Sequence, residues 1–418
     1  FYNRAQILNR SAARLAMTIA MISLVMFALV MMTTMQENFD RIFLNDESLG
    51  GYDVVAAENP GNPIGELRVA LRREGADDSA IESVAVIRQA NPQAVSIAEV
   101  DEKDTDDDGD PLEWDSYPVR GLSEGFITGN SFTFQARATG FETDEDVWKA
   151  MLTNIDYAVV DAFAVQSGGF GGPGFKVSGI DPLDETFEPV QIAVRDAATG
   201  NQRNVTVIGV TSLAGSAFLN GLLVTDDLFD AMVDRPDSTL HVLRLRDGAD
   251  ADRAAKDIER ALRAQGVQAD SLRKLLDDAQ AQQRGFLFLI QGFMGIGLFV
   301  GIAAVGVVAF RTVVERRQQI GMLRAIGYTR RAVALSFIME SSFTALLGIG
   351  SGIALGLLLA YQLVSTDDFV PGGIDSFYIP WLQIGLIGCF AFVASLVMTI
   401  IPARQASSIP IAEALRYE

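Results

Sequence analysis

Three aspartates at alternate positions have the spacing in this chain that most resembles a metal site. Asp104, Asp106 and Asp108 stand just before a glycine, and alternate carboxylates around a glycine turn open a calcium-binding loop, because hard cations bind several oxygen ligands. The closing position of such a loop holds Asp115, where glutamate is usual, and a proline occupies the expected hydrophobic position. A calcium site and a solvated acidic loop therefore remain as alternatives, and we expect the second.

Other residue types point away from catalysis on this chain. His241 is the only histidine and Cys389 the only cysteine, so we predict no Ser/His/Asp or Cys/His catalytic group, no zinc site and no disulfide within the chain. His241 lies in a predicted strand, where a packed or surface histidine is expected. The glycine-rich segment 167–174 predicts an exposed loop, because no Lys-Ser or Lys-Thr follows it as in a phosphate-binding loop. We predict no catalytic residue, cofactor or metal here.

A short charged segment, residues 315–328, combines an apolar stripe with a basic surface. Its apolar residues recur at i, i+3 and i+6, which predicts an amphipathic helix whose stripe needs a partner. Gly327 is a natural left-handed terminator, and Thr329 can cap the following helix. We predict that the segment docks onto a soluble protein through Glu315, Arg316, Arg317, Ile320, Gly321, Met322, Leu323, Arg324, Ile326 and Gly327.

Four apolar runs are near or above the ~20 residues that a helix needs to cross ~30 Å of hydrocarbon. We predict a membrane α-helical protein with four transmembrane helices. The predicted spans are residues 15–35, 286–310, 335–364 and 381–401.

Charge divides the chain and sets its orientation. Residues 35–284 carry 22 Lys and Arg against 46 Asp and Glu, a net of −24, whereas the remainder carries 11 against 7, a net of +4. Arginines dominate the segments outside the apolar runs in that remainder, which predicts a cytoplasmic location for residues 1–14, 311–331 and 402–418. A large domain, residues 36–284, and a loop, residues 365–380, are then extracytoplasmic, in a multi-pass protein of the cell membrane.

The extracytoplasmic domain, inserted between the first two spans, shows an α+β pattern. Helices are predicted at 63–74, 143–154 and 250–265, the second beginning with a threonine and acids and the third followed by a glycine. Strands are predicted at 52–57, 84–88, 95–100, 157–162, 190–196, 204–211, 221–225 and 239–245.

Small residues and one acid mark the predicted spans. Glycines at a spacing of four allow two helices to approach closely in lipid. Glu340 is a carboxylate well inside a span, where a charge costs on the order of 2.5–3.5 kcal/mol or more. It either lies near the cytoplasmic interface, hydrogen-bonded to a neighbouring helix, or serves in transmission or a dimer contact. The glycines at this spacing are Gly297, Gly301, Gly348, Gly352 and Gly356.

The order of the predicted segments is one span, a large external domain and three further spans. This order resembles the FtsX-like permeases of ABC transporters, of the macrolide-exporter and lipoprotein-releasing type. The resemblance rests on four features of the sequence: the segment 315–328, Glu340, the glycines from Gly348 to Gly356, and the ending 410–418. It implies that residues 315–326 form the coupling helix that fits a separate ATPase subunit. It also implies mechanotransmission, in which ATP and magnesium bind the partner and the spans carry its motion outward.

The resemblance implies several partners and leaves the cargo open. The expected partners are an ABC ATPase dimer, membrane lipid and a second permease half, either a copy of this chain or an upstream part of one longer chain, and no nucleic acid. We expect export or extraction of a lipid, lipoprotein, peptide or hydrophobic drug. The alternatives are regulation of an external cell-wall hydrolase or a sensor, and a membrane-anchored external enzyme. An apolar cleft in the external domain would favour cargo handling, and a flat docking face would favour regulation.

Overall fold

The chain forms two compact units in a computed structural model. One contains Phe1–Asn38, Gln283–Leu363 and Ser376–Glu418, and the other contains Phe39–Gln282 and Val364–Asp375. Long apolar helices make up the first unit, and a β-sheet with short helices makes up the second. The structure describes residues 2–43, 46–90, 95–99, 114–165, 177–181, 184–196, 200, 202–233, 235–315, 320, 322, 325–365 and 377–408.

The helices differ strongly in length between the two units. Short 3-10 helices lie at Asp46–Leu49, Ala162–Ala164 and Arg263–Gln265. The α-helices are α1 (Tyr2–Phe43), α2 (Leu67–Arg73), α3 (Glu124–Gly129), α4 (Asp144–Thr153), α5 (Leu213–Phe218), α6 (Asp226–Met232), α7 (Ala251–Ala261), α8 (Leu272–Glu315), α9 (Arg330–Val364) and α10 (Trp381–Ser408).

The strands all belong to the second unit. They are β1 (Val54–Ala57), β2 (Ile81–Ala90), β3 (Val95–Glu99), β4 (Asp115–Ser116), β5 (Val119–Leu122), β6 (Phe134–Ala138), β7 (Tyr157–Val160), β8 (Thr186–Phe187), β9 (Val190–Asp196), β10 (Gln202–Thr211), β11 (Leu222–Thr225), β12 (Ser238–Leu245) and β13 (Gln268–Ser271).

These strands form one mixed sheet in the described part of the chain. Its order is β13-β1-β12-β2-β5-β11-β7-β10-β9-β3-β4, and β6 pairs with β10 and β8. Most pairs are antiparallel, whereas β10 with β7, β11 with β5, and β6 with β8 are parallel. Strands from both ends of the domain sequence meet at β13-β1-β12, so this edge is built entirely from non-local pairing.

In the described part of the chain, three helical segments are long and apolar enough to cross a membrane: Ala16–Ile42, Arg330–Val364 and Trp381–Ile400. The fourth predicted span, 286–310, lies within α8, where the apolar stretch found among the described residues is the shorter Phe288–Gly301. The membrane-helical class with an inserted domain therefore holds, and the count of four spans stays a prediction.

Local capping signals place several helices where the sequence predicts them. The Thr143 hydroxyl accepts a hydrogen bond from Asp146 N at 3.2 Å, and an Asp146 carboxylate oxygen accepts one from Thr143 N at 3.0 Å, so a capping box begins α4. After α7, Gly266 has a left-handed φ of 79° that ends the helical region. The predicted helix at 63–74 begins later, at Leu67, because Gly65 has a left-handed φ of 70° that a continuing helix excludes.

Every strand predicted from the sequence is present to within a few residues, although several other elements were missed. Strand β5 contains Arg120 and Gly121, helix α3 contains two glycines, and α5 and α6 are only six and seven residues long. None of these segments carries enough periodic apolar residues to stand out in a sequence. They form because the surrounding sheet buries them.

Two cores stabilise the domain. Helices α2 and α7 cover one face of β13-β1-β12 with buried apolar residues such as Leu67, Leu71 and Ile258. A second core contains stacked aromatic rings: Tyr52 on Phe126 at 5.4 Å between centroids, Phe126 on Phe132 at 6.0 Å, and Phe132 on Phe218 at 6.0 Å. Burial of these large side chains holds the domain without any disulfide.

Candidate functional site

The segment between α8 and α9 is the candidate docking element. Helix α8 ends at Glu315, and Ile320, Met322 and Ile326 are described, as is Gly327. Arg316, Arg317, Gly321, Leu323 and Arg324 lie outside the described residues.

The end of this segment has the geometry that its sequence predicts. Ile326 N donates to Met322 O at 3.0 Å, and Gly327 then has a left-handed φ of 110°. The Thr329 hydroxyl accepts a hydrogen bond from Ala332 N at 3.2 Å, which caps the start of α9. A helical turn therefore ends at the glycine, and α9 starts three residues later, at Arg330.

The predicted apolar stripe divides between two surfaces. Ile320 is only 2% exposed because it packs against Val333 and Phe337 of α9, whereas Met322 is 50% and Ile326 78% exposed. Six residues along an α-helix amount to a rotation of about 120° from the starting face, so Ile320 and Ile326 cannot point the same way. Met322 and Ile326, four residues apart, share a face. The expectation of one stripe through Ile320 is corrected to an anchor and an exposed pair.

The glycine series of α9 lies directly against α1. A Cβ added to Gly352 would lie 2.7 Å from Ser23 O, and one added to Gly356 would lie 2.9 Å from Phe27 O. At Gly348 an added Cβ would lie 2.9 Å from Ile22 Cβ. Such separations are shorter than real Cβ contacts, so the backbones approach this closely only because these residues are glycine.

A polar contact joins α1 and α9 at the same place. Ser351 Oγ donates to Ser23 Oγ at 3.0 Å. Apolar residues of α1, α9 and α10 pack around the contact, among them Met26, Ile349 and Ile384. The three helices are therefore one closely packed group.

Two other glycines of the predicted packing set are not in such a contact. Among the described atoms, nothing lies within 4 Å of a Cβ built on Gly297 or Gly301 of α8. A close helix contact at Gly297 and Gly301 therefore stays a prediction.

Glu340 and Cys389 both have exposed side chains on membrane helices of the single chain. The Thr344 hydroxyl donates to the backbone carbonyl of Glu340 at 3.0 Å. Both interpretations of Glu340, an interfacial position and a transmission or dimer contact, stay open.

A buried asparagine clamps the end of α1, and sequence reasoning missed it. Asn38 is 2% exposed, and its amide nitrogen donates to Thr34 O at 2.7 Å and to Tyr378 O at 2.9 Å. Tyr378 N donates back to the Asn38 amide oxygen at 2.9 Å. An amide near the end of a long apolar helix was the available signal, because a buried amide must find partners for both its donor and its acceptor.

Titratable groups inside the external domain serve its structure. His241 is buried, as expected, and its Nε2 lies 2.6 Å from an oxygen of Glu58. Asp161 caps the helix that begins at Ala162 by accepting from Ala164 N at 3.0 Å, and burial raises the pKa of Asp161. Burial also lowers the pKa of Arg120 to about 10, although the Asp161 charge opposes that shift. Both groups bind backbone atoms of the domain interior, since Arg120 Nη1 also donates to Phe218 O at 3.0 Å.

The acidic loop lies mostly outside the described residues. Asp104, Asp106 and Asp108 lie outside the described residues, as does the glycine-rich segment 167–174, while Asp115 lies in the two-residue strand β4. Calcium binding therefore stays a prediction.

An apolar cleft of about 460 Å³ opens on the external domain. Its floor is the face of β13-β1-β12 opposite α2 and α7, and its walls come from the first turns of α8, the 3-10 helix Asp46–Leu49 and the end of α5. Ligand sites are commonly clefts of about 300–1,000 Å³ with apolar walls and a few polar groups, and this cleft meets both criteria.

The membrane part of the chain is similar to known permeases. Residues 292–411 match the FtsX-like permease C-terminal family. Over 295 residues the chain is 28% identical to the macrolide export ATP-binding/permease protein MacB of Salmonella typhi, a match covering 63% of this chain and 45% of that protein. Over 178 residues it is 25% identical to an uncharacterised ABC transporter permease of Methanocaldococcus jannaschii, covering 42% of this chain and 45% of that protein.

The chain is also similar to a third permease protein and to one solved structure. The chain is 27% identical over 147 residues to the lipoprotein-releasing system transmembrane protein LolC of Neisseria meningitidis serogroup B, covering 30% of this chain and 34% of that protein. The chain thus spans about half the length, or less, of these curated relatives. The periplasmic region of MacB from Actinobacillus actinomycetemcomitans aligns with 57% of this chain and 97% of its own length, at 15% identity and a TM-score of 0.32.

Proposed function

Because this chain belongs to the FtsX-like permease family of ABC transporters, we propose that it couples ATP hydrolysis on a partner subunit to movement of its external domain. The chain is a membrane protein of that permease family. Our proposal concerns its partner, its mechanism and its cargo. ATP and magnesium would bind the partner ATPase, as an ABC ATPase dimer, and a second permease half would complete the transporter.

The exposed pair Met322 and Ile326 carries this proposal. Two large apolar side chains that share one face of a helical turn, at 50% and 78% exposure, fit the apolar groove of a partner protein. Charged residues surround them in the sequence, which suits a cytoplasmic docking surface.

Ile320 supplies the mechanical link in this proposal. Its side chain is buried against Val333 and Phe337 of α9, so a push on the docking pair also moves the start of α9. The glycine contact ties α9 to α1, and α1 continues along the chain into the external domain. A closely packed interior transmits displacement rather than absorbing it, which supports mechanotransmission.

The apolar cleft favours cargo handling over regulation. A regulator of a cell-wall hydrolase or a sensor needs a docking face, whereas a cleft with apolar walls suits a lipid, lipoprotein, peptide or hydrophobic drug. We therefore propose export or extraction of such a molecule.

Ile326→Asp tests the docking pair. A charge at the centre of an apolar contact must be desolvated, and central apolar contacts typically contribute about 2 kcal/mol or more, so affinity for the ATPase that copurifies with the wild-type chain should fall at least about tenfold. The measurement is titration of that ATPase against the full chain in lipid nanodiscs, together with ATP hydrolysis.

Val69→Asp is the matched control, because Val69 is also an exposed apolar residue, at 50%, and lies on α2 of the external domain. It should leave ATPase binding unchanged. Equal binding by Ile326→Asp and wild type would refute the docking proposal, as would a wild-type chain that recovers no ATPase.

A further inference from the structure

The floor of the apolar cleft is set by strand register. Val55 pairs with Asp270 on one side and Val242 on the other, and Ala57 pairs with Gln268 and Leu240. Cross-strand partners and residues two apart point to the same face of a sheet. The floor therefore has two rows, and each row carries a polar residue only on the β13 edge.

The two faces of these strands are covered differently. Val54 and Ala56 of β1 lie in the filled core beneath α2 and α7, and both are fully buried. Val55 and Ala57, on the opposite face, are only partly buried and line the cleft. A strand with apolar residues on both faces ordinarily needs cover on both, so the second face has a core that the described residues do not complete.

Helix α8 provides an apolar wall that does not close on this floor. Leu272, Leu275, Leu276 and Ala279 stand at i, i+3, i+4 and i+7, which places them on one stripe of the helix. Leu272 is 3% exposed, whereas Leu275 is 41% exposed. The apolar stripe is thus buried at its first residue, Leu272, and partly exposed in the following turn. On the other side stand Leu49 and Phe218, and Phe218 is the last ring of the aromatic stack.

The polar groups of the cleft are few and lie together. Asp270 is paired with Lys274 at 3.1 Å between carboxylate oxygen and ammonium nitrogen, so the pair is neutral, and the side chain of Gln268 is exposed beside it. Ser48 is the other polar lining residue, and it is buried. A highly charged peptide would find no counter-charge on this surface, whereas a hydrocarbon chain would complete its apolar contacts.

We propose that this cleft binds the hydrocarbon chain of a single-chain amphiphile, with the head group at the Gln268 and Asp270 edge. The domain sequence 35–284 has a net charge of −24, which repels anionic heads and favours an uncharged or cationic one. This assignment deepens the transport proposal by naming a substrate class. It depends on that proposal only for the identification of the amphiphile as cargo.

The test is photo-crosslinking of the full chain in lipid nanodiscs without ATP or partner. One arm adds a long-chain alkyl trimethylammonium carrying a diazirine from the aqueous side, and a second places a diazirine lysophosphatidylcholine, which also has a single chain, in the disc. Adducts should fall on peptides containing Leu240 or Leu272 to Ala279, and shortening the added probe should weaken labelling about fourfold per methylene. The probe that labels the cleft shows whether the amphiphile enters from the aqueous side or from the bilayer.

Two variants that occupy or alter the cleft sharpen the test. Ala57→Trp fills the floor and should reduce cleft adducts at least tenfold, while Val69→Trp, on the covered side of the sheet, should leave them unchanged. Because Ala57→Trp could impair folding, Leu275→Gln provides a second variant at an exposed position and should reduce adducts severalfold, with thermal unfolding followed for each.

The outcomes separate this inference from the transport proposal. Adducts confined to the membrane helices, or undiminished in both cleft variants, would overturn amphiphile binding. Cleft labelling that persists in Ile326→Asp supports the site even if ATPase docking is disproved, because no step of the labelling experiment uses the partner.

Discussion

Helices α1 and α9 approach so closely that an added Cβ at Gly352 would lie 2.7 Å from Ser23 O, whereas α8 and the outer face of β13-β1-β12 leave about 460 Å³ open between them. Glycine removes the side chain from the first contact, and an apolar stripe that stays partly exposed borders the second. The first region suits the transmission of force and the second suits the binding of a molecule. The proposed transport function needs both properties, and this chain keeps them on different helices.

The largest effect should come from filling the closed contact. Gly352→Leu places a side chain against Met26 Cβ and a backbone oxygen that cannot rotate away, so we expect a loss of about 3 kcal/mol, the upper end for overpacking. Gly350→Leu is the matched control on the same helix, since nothing among the described atoms lies within 4 Å of its added Cβ. Unfolding of both variants in nanodiscs gives the comparison, and equal stability would mean that the α1 and α9 contact is not rigid.

A smaller loss should follow from opening the clamp at the end of α1. Asn38→Ala removes three hydrogen bonds and leaves backbone groups of Thr34 and Tyr378 without this partner, at a cost of about 1–2 kcal/mol. Asn38→Asp keeps the acceptor for Tyr378 N and should lose less at a pH where its carboxylate is protonated. If Asn38→Ala and the wild type unfold at the same temperature, the hydrogen bonds of Asn38 do not stabilise the packing of α1, α9 and α10.

The smallest effect at neutral pH should come from the aromatic stack that leads to the cleft. Tyr52 is 2% exposed, its hydroxyl has no hydrogen-bond partner among the described residues, and burial raises its pKa to about 12, with Arg244 opposing. Tyr52→Phe keeps the stacked ring, so stability at pH 7 should be unchanged or slightly higher.

The same variant has a predictable effect in alkaline solution. The unfolded chain releases the tyrosine proton near pH 10.0 and the folded chain near 12, so folding binds the proton more tightly and wild-type stability falls as pH rises through this window. Tyr52→Phe should lack that loss, a difference approaching about 2–3 kcal/mol. Parallel pH dependences of the two proteins would show that the hydroxyl is hydrated, and hence that the core beside the cleft is open.

Much of the fold was readable because its signals are local. The threonine before α4 and the acids in its first turn indicated its start, and Gly266 and Gly327 marked helix ends with left-handed backbone. The short elements β5 and α3 were missed because Gly121 and the glycines of α3 carry no strand or helix preference, and burial against neighbouring strands decides their conformation.

The candidate site was only partly predictable. The i, i+3, i+6 pattern indicated an amphipathic segment, but it did not reveal that Ile320 would pack on Val333 while Ile326 faced outward. The sequence also gave no pairing for Asn38, whose partner Tyr378 is 340 positions away. Side chains that meet across such distances are brought together by packing, which a local pattern does not contain.

By itself, the sequence determined the apolar segments, the charge difference between the domain and the rest of the chain, and the helix ends, because hydrocarbon thickness, charge and backbone preference act within a few residues. Only the tertiary structure decided that the glycines of α9 meet α1 and that β1, β12 and β13 share a floor. Residues 55, 240 and 270, which line the cleft, are far apart along the chain. A cleft among them exists only once the strands pair and α8 stops short of covering them.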